Sequence, residues 1–198
     1  MLTDKQLQAE AKRLNSLPMD SFLGLSPSMV HTLLYTPFDK SSLLKINDLS
    51  DEMLDQIPLF AIAEDLLHII QRDNYIKLTL RGALPKKIVI ELYNKKHILD
   101  SFIEVGYNKL NRESDCDTIL GTRVVLELAE LVTKERGKLR LTNKALNLLE
   151  QNNRQELFNI FFKAFITQFN WGYYDRFPES PLRWICNPAI TSFLKSID

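Results

Sequence analysis

Apolar residues recur at helical spacing along most of the chain. Leu7, Ala11, Leu14 and Leu17 follow at intervals of four, three and three, a narrow stripe that predicts a helix over 4–17, ended by Pro18. Ser26-Pro27 has the chemistry of a helix start: a capping hydroxyl, then proline at the first helical position. Val30, Leu33 and Leu34 carry that helix to Thr36-Pro37. Ser50-Asp51-Glu52 opens another, and Pro58 interrupts it. Beyond the proline, Leu59, Ile62, Ala63, Leu66, Leu67 and Ile70 make a strong apolar face. Residues 84–93, 122–132 and 143–150 predict further helices, with residues 116–121 as a turn ahead of the second.

Two stretches change to a period of two. Tyr75-Ile76-Lys77-Leu78-Thr79 and Lys138-Leu139-Arg140-Leu141-Thr142 both alternate polar and apolar. Each comes after an apolar helix end and a polar tip. The tips are Gln71-Arg72-Asp73-Asn74 and Thr133-Lys134-Glu135-Arg136-Gly137, the latter with a glycine suited to a tight turn. Each alternating stretch ends in a threonine whose hydroxyl can cap the next helix. Aligning Ile76–Thr79 on Leu139–Thr142 gives an offset of 63 residues, and a one-residue gap then brings Leu66 over Leu128. The pattern predicts a weak internal duplication, two copies of helix, hairpin and helix.

The C-terminal third is aromatic. Phe158, Phe161, Phe162, Phe165 and Phe169 lie at spacings of three and four, widened by Ile160 and Ile166. Eleven of the nineteen aromatic residues lie beyond residue 157, and prolines 178, 181 and 188 divide the C-terminal end into short pieces. The phenylalanines predict core. Trp171, Tyr174 and Arg176 combine flat rings with polar handles and are candidate interface residues.

Composition is that of a globular chain: 198 residues, 45% hydrophobic and 25% charged. No apolar run is long enough to span a bilayer, and residues 1–17 lack the core of a secretion signal. Two cysteines, Cys116 and Cys186, do not make a disulfide scaffold, so a cytoplasmic setting with reduced thiols is expected. The 25 basic and 25 acidic residues cancel, but unevenly. Residues 1–70 hold five basic and ten acidic groups; residues 71–144 hold fifteen and ten. The two windows around the alternating stretches, 71–87 and 133–144, each hold five basic residues and one acidic.

Helix, basic-tipped hairpin and a strand ending in threonine resemble the latter half of a winged helix. Residues 131–144 in particular are similar to the wing of winged-helix transcription regulators. The resemblance implies an α+β, mainly helical fold with two winged-helix-like units and a C-terminal aromatic helical segment. The corresponding divisions are 1–20, 21–96, 97–155 and 156–198. It also implies that Lys77, Arg81, Arg123, Lys134, Arg136, Lys138 and Arg140, with Arg72, are the residues to contact phosphates if the partner is DNA. The helices before the wings argue the other way. Residues 122–132 offer Arg123 against Glu127 and Glu130, and the earlier helix has Glu64 and Asp65 with no cation, whereas base edges are read by donors. The chain also resembles a set of uncharacterised bacterial proteins over about residues 22–185. The shared landmarks are Leu25-Ser26-Pro27-Ser28-Met29, Pro37-Phe38, Leu84-Pro85, Leu128–Val132, Gly137-Lys138-Leu139, Phe169–Asp175 and Phe177-Pro178-Glu179. That resemblance implies no activity and carries over no catalytic residue.

Reaction chemistry is not signalled. His31, His68 and His97 fit no metal-binding spacing, the six glycines form no phosphate loop, and no nucleophile elbow occurs. His68, beside apolar residues, predicts a partly buried structural imidazole. Glu113, Asp115 and Asp117 predict a solvated acidic loop around Cys116, and Cys186 a core thiol. The expectation is a non-catalytic module without cofactor or metal. Its partner is expected to be a protein, with DNA as the alternative, an enzyme with an unrecognised site third, and self-association open. No membrane contact is expected.

Overall fold

The computed structural model describes residues 3–40, 42–170 and 172. The protein is α+β and mainly helical. It divides into two compact units, one of residues 48–169 and one of residues 1–47 with 170–198.

In the discontinuous unit, α1 spans Asp4–Asn15 and α2 spans Pro27–Tyr35. The Ser26 hydroxyl caps α2 as its sequence predicts, accepting from the Met29 amide at 3.3 Å. No residue of α1 is buried, and its leucine stripe, Leu7 and Leu14 with Leu17 beyond the helix, is exposed.

The continuous unit runs α3 (Asp51–Asp55), α4 (Pro58–Asp73), β1 (Ile76–Lys77), α5 (Lys86–Tyr93), α6 (Ser101–Glu104), α7 (Asp117–Leu128), β2 (Val132–Glu135), β3 (Lys138–Leu141), α8 (Asn143–Glu150) and α9 (Arg154–Thr167). Pro58 starts α4 at the position where its missing N–H costs nothing. The apolar face of α4 supplies the centre of the core, with Phe60, Leu66, Leu67 and Ile70 fully enclosed. It packs on α5, α7 and β3, while α9 covers α3, α7 and α8. Of the five phenylalanines expected in the core, Phe158, Phe161 and Phe169 are buried and Phe162 and Phe165 half-buried; the rings of Phe158 and Phe161 lie 5.3 and 6.1 Å from that of Phe60. Arg154, at the start of α9, ties three helices together. Its guanidinium donates to both carboxylate oxygens of Glu64 at 2.7 Å and to Asp55 at 2.7 Å, with Asp51 at 3.2 Å.

The two hairpins predicted from the repeat are one sheet. Its order is β1-β3-β2, antiparallel throughout, with Ile76 opposite Leu139 and Lys77 opposite Lys138. The first hairpin fails because α4 continues to Asp73 and ends on Asn74 in the left-handed conformation. The polar stretch 71–74 is therefore a helix end, and β1 has no strand before it to pair with. It pairs instead with β3, which already carries β2 through the tight turn at Arg136-Gly137. The likeness between the two alternating stretches has a plain cause: both lie on one sheet and turn Ile76 and Leu139 to the same core. The boundary expected between residues 96 and 97 falls inside this unit.

Three further expectations change. The predicted turn at 116–121 is mostly helix, because α7 begins at Asp117 after a single 3-10 turn at Glu113–Asp115. Helix α7 ends at Leu128, so Val132 is free to start β2. Thr142 caps α8 as predicted, accepting from Ala145 N at 3.3 Å and donating to Glu130 O at 2.8 Å. Thr79 accepts instead from Ala83 N, closing the turn 79–83 ahead of α5.

Candidate functional site

The predicted basic residues scatter into three environments. Lys77, Lys138 and Arg140 lie together on the solvent side of the sheet, opposite in pleat to Ile76 and Leu139. There they gather around Tyr75, with the Lys138 ammonium 3.9 Å and the Arg140 guanidinium carbon 4.9 Å from the ring centre. Each such contact contributes about 0.5–1 kcal/mol at an exposed site. Arg136 stands alone at the hairpin turn, with Glu135 at 4.0 Å.

Lys134 points the other way, sharing the pleat of Leu139, and its ammonium sits 3.0 Å from Glu127 on α7. Arg123 is buried. It donates to Glu113 on one side and Glu127 on the other, and Glu113 also accepts from the Leu84 amide at 3.0 Å. Burial pulls the Arg123 guanidinium toward neutrality, but the bonds and charges of Glu113 and Glu127 outweigh it and hold its pKa above the ordinary arginine value. Arg123 is thus structural and cannot reach a partner, and Glu113 is a buried acceptor, not part of a solvated loop. Arg81 lies on the turn after β1, in the same region as Lys134. Arg72 is taken up by Asp73 and Glu91.

Helix α7 occupies the position before the hairpin, and of its residues only Asp117 is exposed. It is wedged between α4, α5 and α9 with β2 at its end. A helix that reads base edges must present a row of donors to solvent. This one presents none.

Between α5 and α7 the chain makes an excursion that the sequence does not single out. Leu99, Phe102, Val105 and Tyr107 are 49%, 61%, 66% and 83% exposed. Phe102 and Val105 lie three residues apart across the one-turn helix α6 and share a face, with Leu99 before it and Tyr107 after it in the chain. This apolar surface is held from beneath. Asp65 on α4 accepts from Lys95 at 2.6 Å and from His97 at 2.8 Å. The Tyr93 hydroxyl donates to Glu104 at 3.0 Å and accepts from the Asp100 amide at 3.1 Å. The Asp100 carboxylate caps α6 through the amides of Phe102 and Ile103. Burial, foremost, pushes the Tyr93 phenol above its ordinary pKa, so its proton is retained for that bond. The only signal in the sequence is the spacing 99, 102, 105, with Ile98 and Ile103 beside it blurring the pattern. It is too short to separate a displayed turn from a core one.

Cys116 is buried, and desolvation, with the charges of Asp100 and Asp117 adding to it, pushes its thiol above the ordinary range. His68 is exposed, its Nδ1 3.4 Å from Gln71, so the expected buried imidazole is not found. Among the described residues no three His, Cys, Asp or Glu side chains converge for a metal ion. No helix there is long and apolar enough to cross a membrane. Trp171, Tyr174, Arg176 and Cys186 lie outside the described residues. Comparisons with protein-family models, with curated proteins and with solved structures return no match.

Proposed function

We propose that this chain is a non-catalytic, cytoplasmic module that binds another macromolecule, and that the partner is a protein docking on the 99–107 surface. One observation carries the reading. Four large apolar side chains stand in solvent on a turn pinned by Asp65, Tyr93 and Asp100, while the helix that would read DNA is core. Exposed apolar groups cost solubility, and a set gathered on one short segment and held in one geometry is what a protein partner recognises. The pinning removes ordering cost at binding.

The same reading gives the fold a finer description. Residues 58–141 run in the order helix, strand, helix, one-turn helix, helix, hairpin; with the one-turn helix α6 set aside as part of the excursion, this supports one winged-helix-like body with β1 as its first strand, in place of two units. In that body α7 holds the reading position and the excursion 94–109 is an insertion before it.

Affinity capture from the native host with the full chain tests the proposal. The wild type should retain a stable protein partner, and the variant Phe102→Ser with Tyr107→Ser should lose about nine-tenths or more of it, a loss of about 1.4 kcal/mol or more. Retention of the partner by both chains, or recovery of nucleic acid alone, contradicts it.

A further inference from the structure

A cavity of about 790 Å³ opens between the turn after β1, the segment 111–114, the outer side of α7 and the hairpin. Its floor is the Glu113–Arg123 pair, and Leu80 and Leu120 line it with apolar surface. Around it stand Arg81, Lys86, Arg112 and Lys134.

The charges there do not balance. Arg123 and Lys134 are matched by Glu113 and Glu127. Both oxygens of Glu113 are already used, one by Arg123 and one by the Leu84 amide. Asp115 is turned back on the amides of Asn111 and Arg112. Lys86 is steadied at 2.6 Å by the neutral carbonyl of Asn111, which leaves its charge uncompensated. Arg81 and Arg112 are exposed and have no carboxylate partner among the described residues. Three cations therefore face one cavity with no anion of the described chain to satisfy them. The buried pair beneath fixes the floor of the cavity that they line.

Two guanidinium forks and an ammonium match oxygens that carry several charges and accept paired bonds, which is phosphate chemistry. The volume lies in the range of small-molecule sites, and the leucine wall gives an organic part somewhere to lie. We propose that this cavity binds a phosphorylated small molecule, its phosphate groups held by Arg81, Lys86 and Arg112. The site is separate from the 99–107 surface, and the proposal does not rest on the protein-partner reading.

Calorimetric titration of the full chain with inorganic pyrophosphate tests it. The wild type should bind, and Arg81→Ala with Arg112→Ala should weaken binding by about tenfold or more, each lost charge-assisted pair counting heavily. Neither side chain bonds to a carboxylate, so the thermal midpoint of that variant should stay at the wild-type value. Lys138→Ala with Arg140→Ala removes the same charge from the sheet face and should leave pyrophosphate affinity within about twofold. Lack of binding by the wild type, equal binding by the Arg81/Arg112 variant, or an equal loss in the Lys138/Arg140 variant overturns the proposal. So does binding of a DNA duplex through Arg81 and Arg112 in the absence of any pyrophosphate affinity.

Discussion

Arg123 shows how one residue changes meaning when its surroundings are known. In the sequence it is the only cation of a helix set before a basic hairpin, and that position invites a role in recognition. In the folded chain it is enclosed by Glu113 and Glu127. Glu127 is legible in the sequence, one turn along the same helix. Glu113 is not, because the 3-10 turn before α7 swings it back under the guanidinium. A buried ion pair is weak evidence of net stability, yet removing one partner strands the other charge. Arg123→Ala should therefore lower the unfolding free energy by about 3–5 kcal/mol in urea titration. A change under about 1 kcal/mol, the range of an exposed pair, would mean that Glu113 is solvated.

At the scale of elements, most helices are legible because their boundaries are chemical: Ser26-Pro27, Ser50, Pro58 and Thr142 cap or start the helices just after them. Strand partners are not legible in the same way. A two-residue strand carries no information about which edge it joins, and the resemblance between 76–79 and 139–142 reads as duplication until the pairing is seen. Leu78 N–H donates to Gly137 O at 2.8 Å, which makes Lys77 and Lys138 the closer, non-hydrogen-bonded pair of the ladder. Their separation suits a disulfide. In the variant Lys77→Cys with Lys138→Cys, mild oxidation should yield a peptide linked between positions 77 and 138, identifiable by mass spectrometry. Failure of that link to form would return β1 to a hairpin of its own. The excursion 94–109 escapes a sequence reading for a related reason. Its anchors, Asp65 to Lys95 and His97, join residues about thirty positions apart, and no local pattern announces them.

The continuous unit as a whole sorts its surface by chemistry. The sheet face carries Lys77, Lys138 and Arg140 around Tyr75, the cavity beside the hairpin carries Arg81, Lys86 and Arg112, and the excursion after α5 carries the apolar group. The basic excess of residues 71–144 is real, but it is divided between these places and partly cancelled inside the fold. It does not form the single stripe flanking a reading helix that DNA recognition requires. Hydrogen–deuterium exchange of the full chain, alone and with its captured partner, tests this division most directly. Binding through the apolar group predicts slower exchange across residues 94–109 and unchanged exchange across β2 and β3. Slower exchange across β2 and β3, with 94–109 unaltered, would contradict the account.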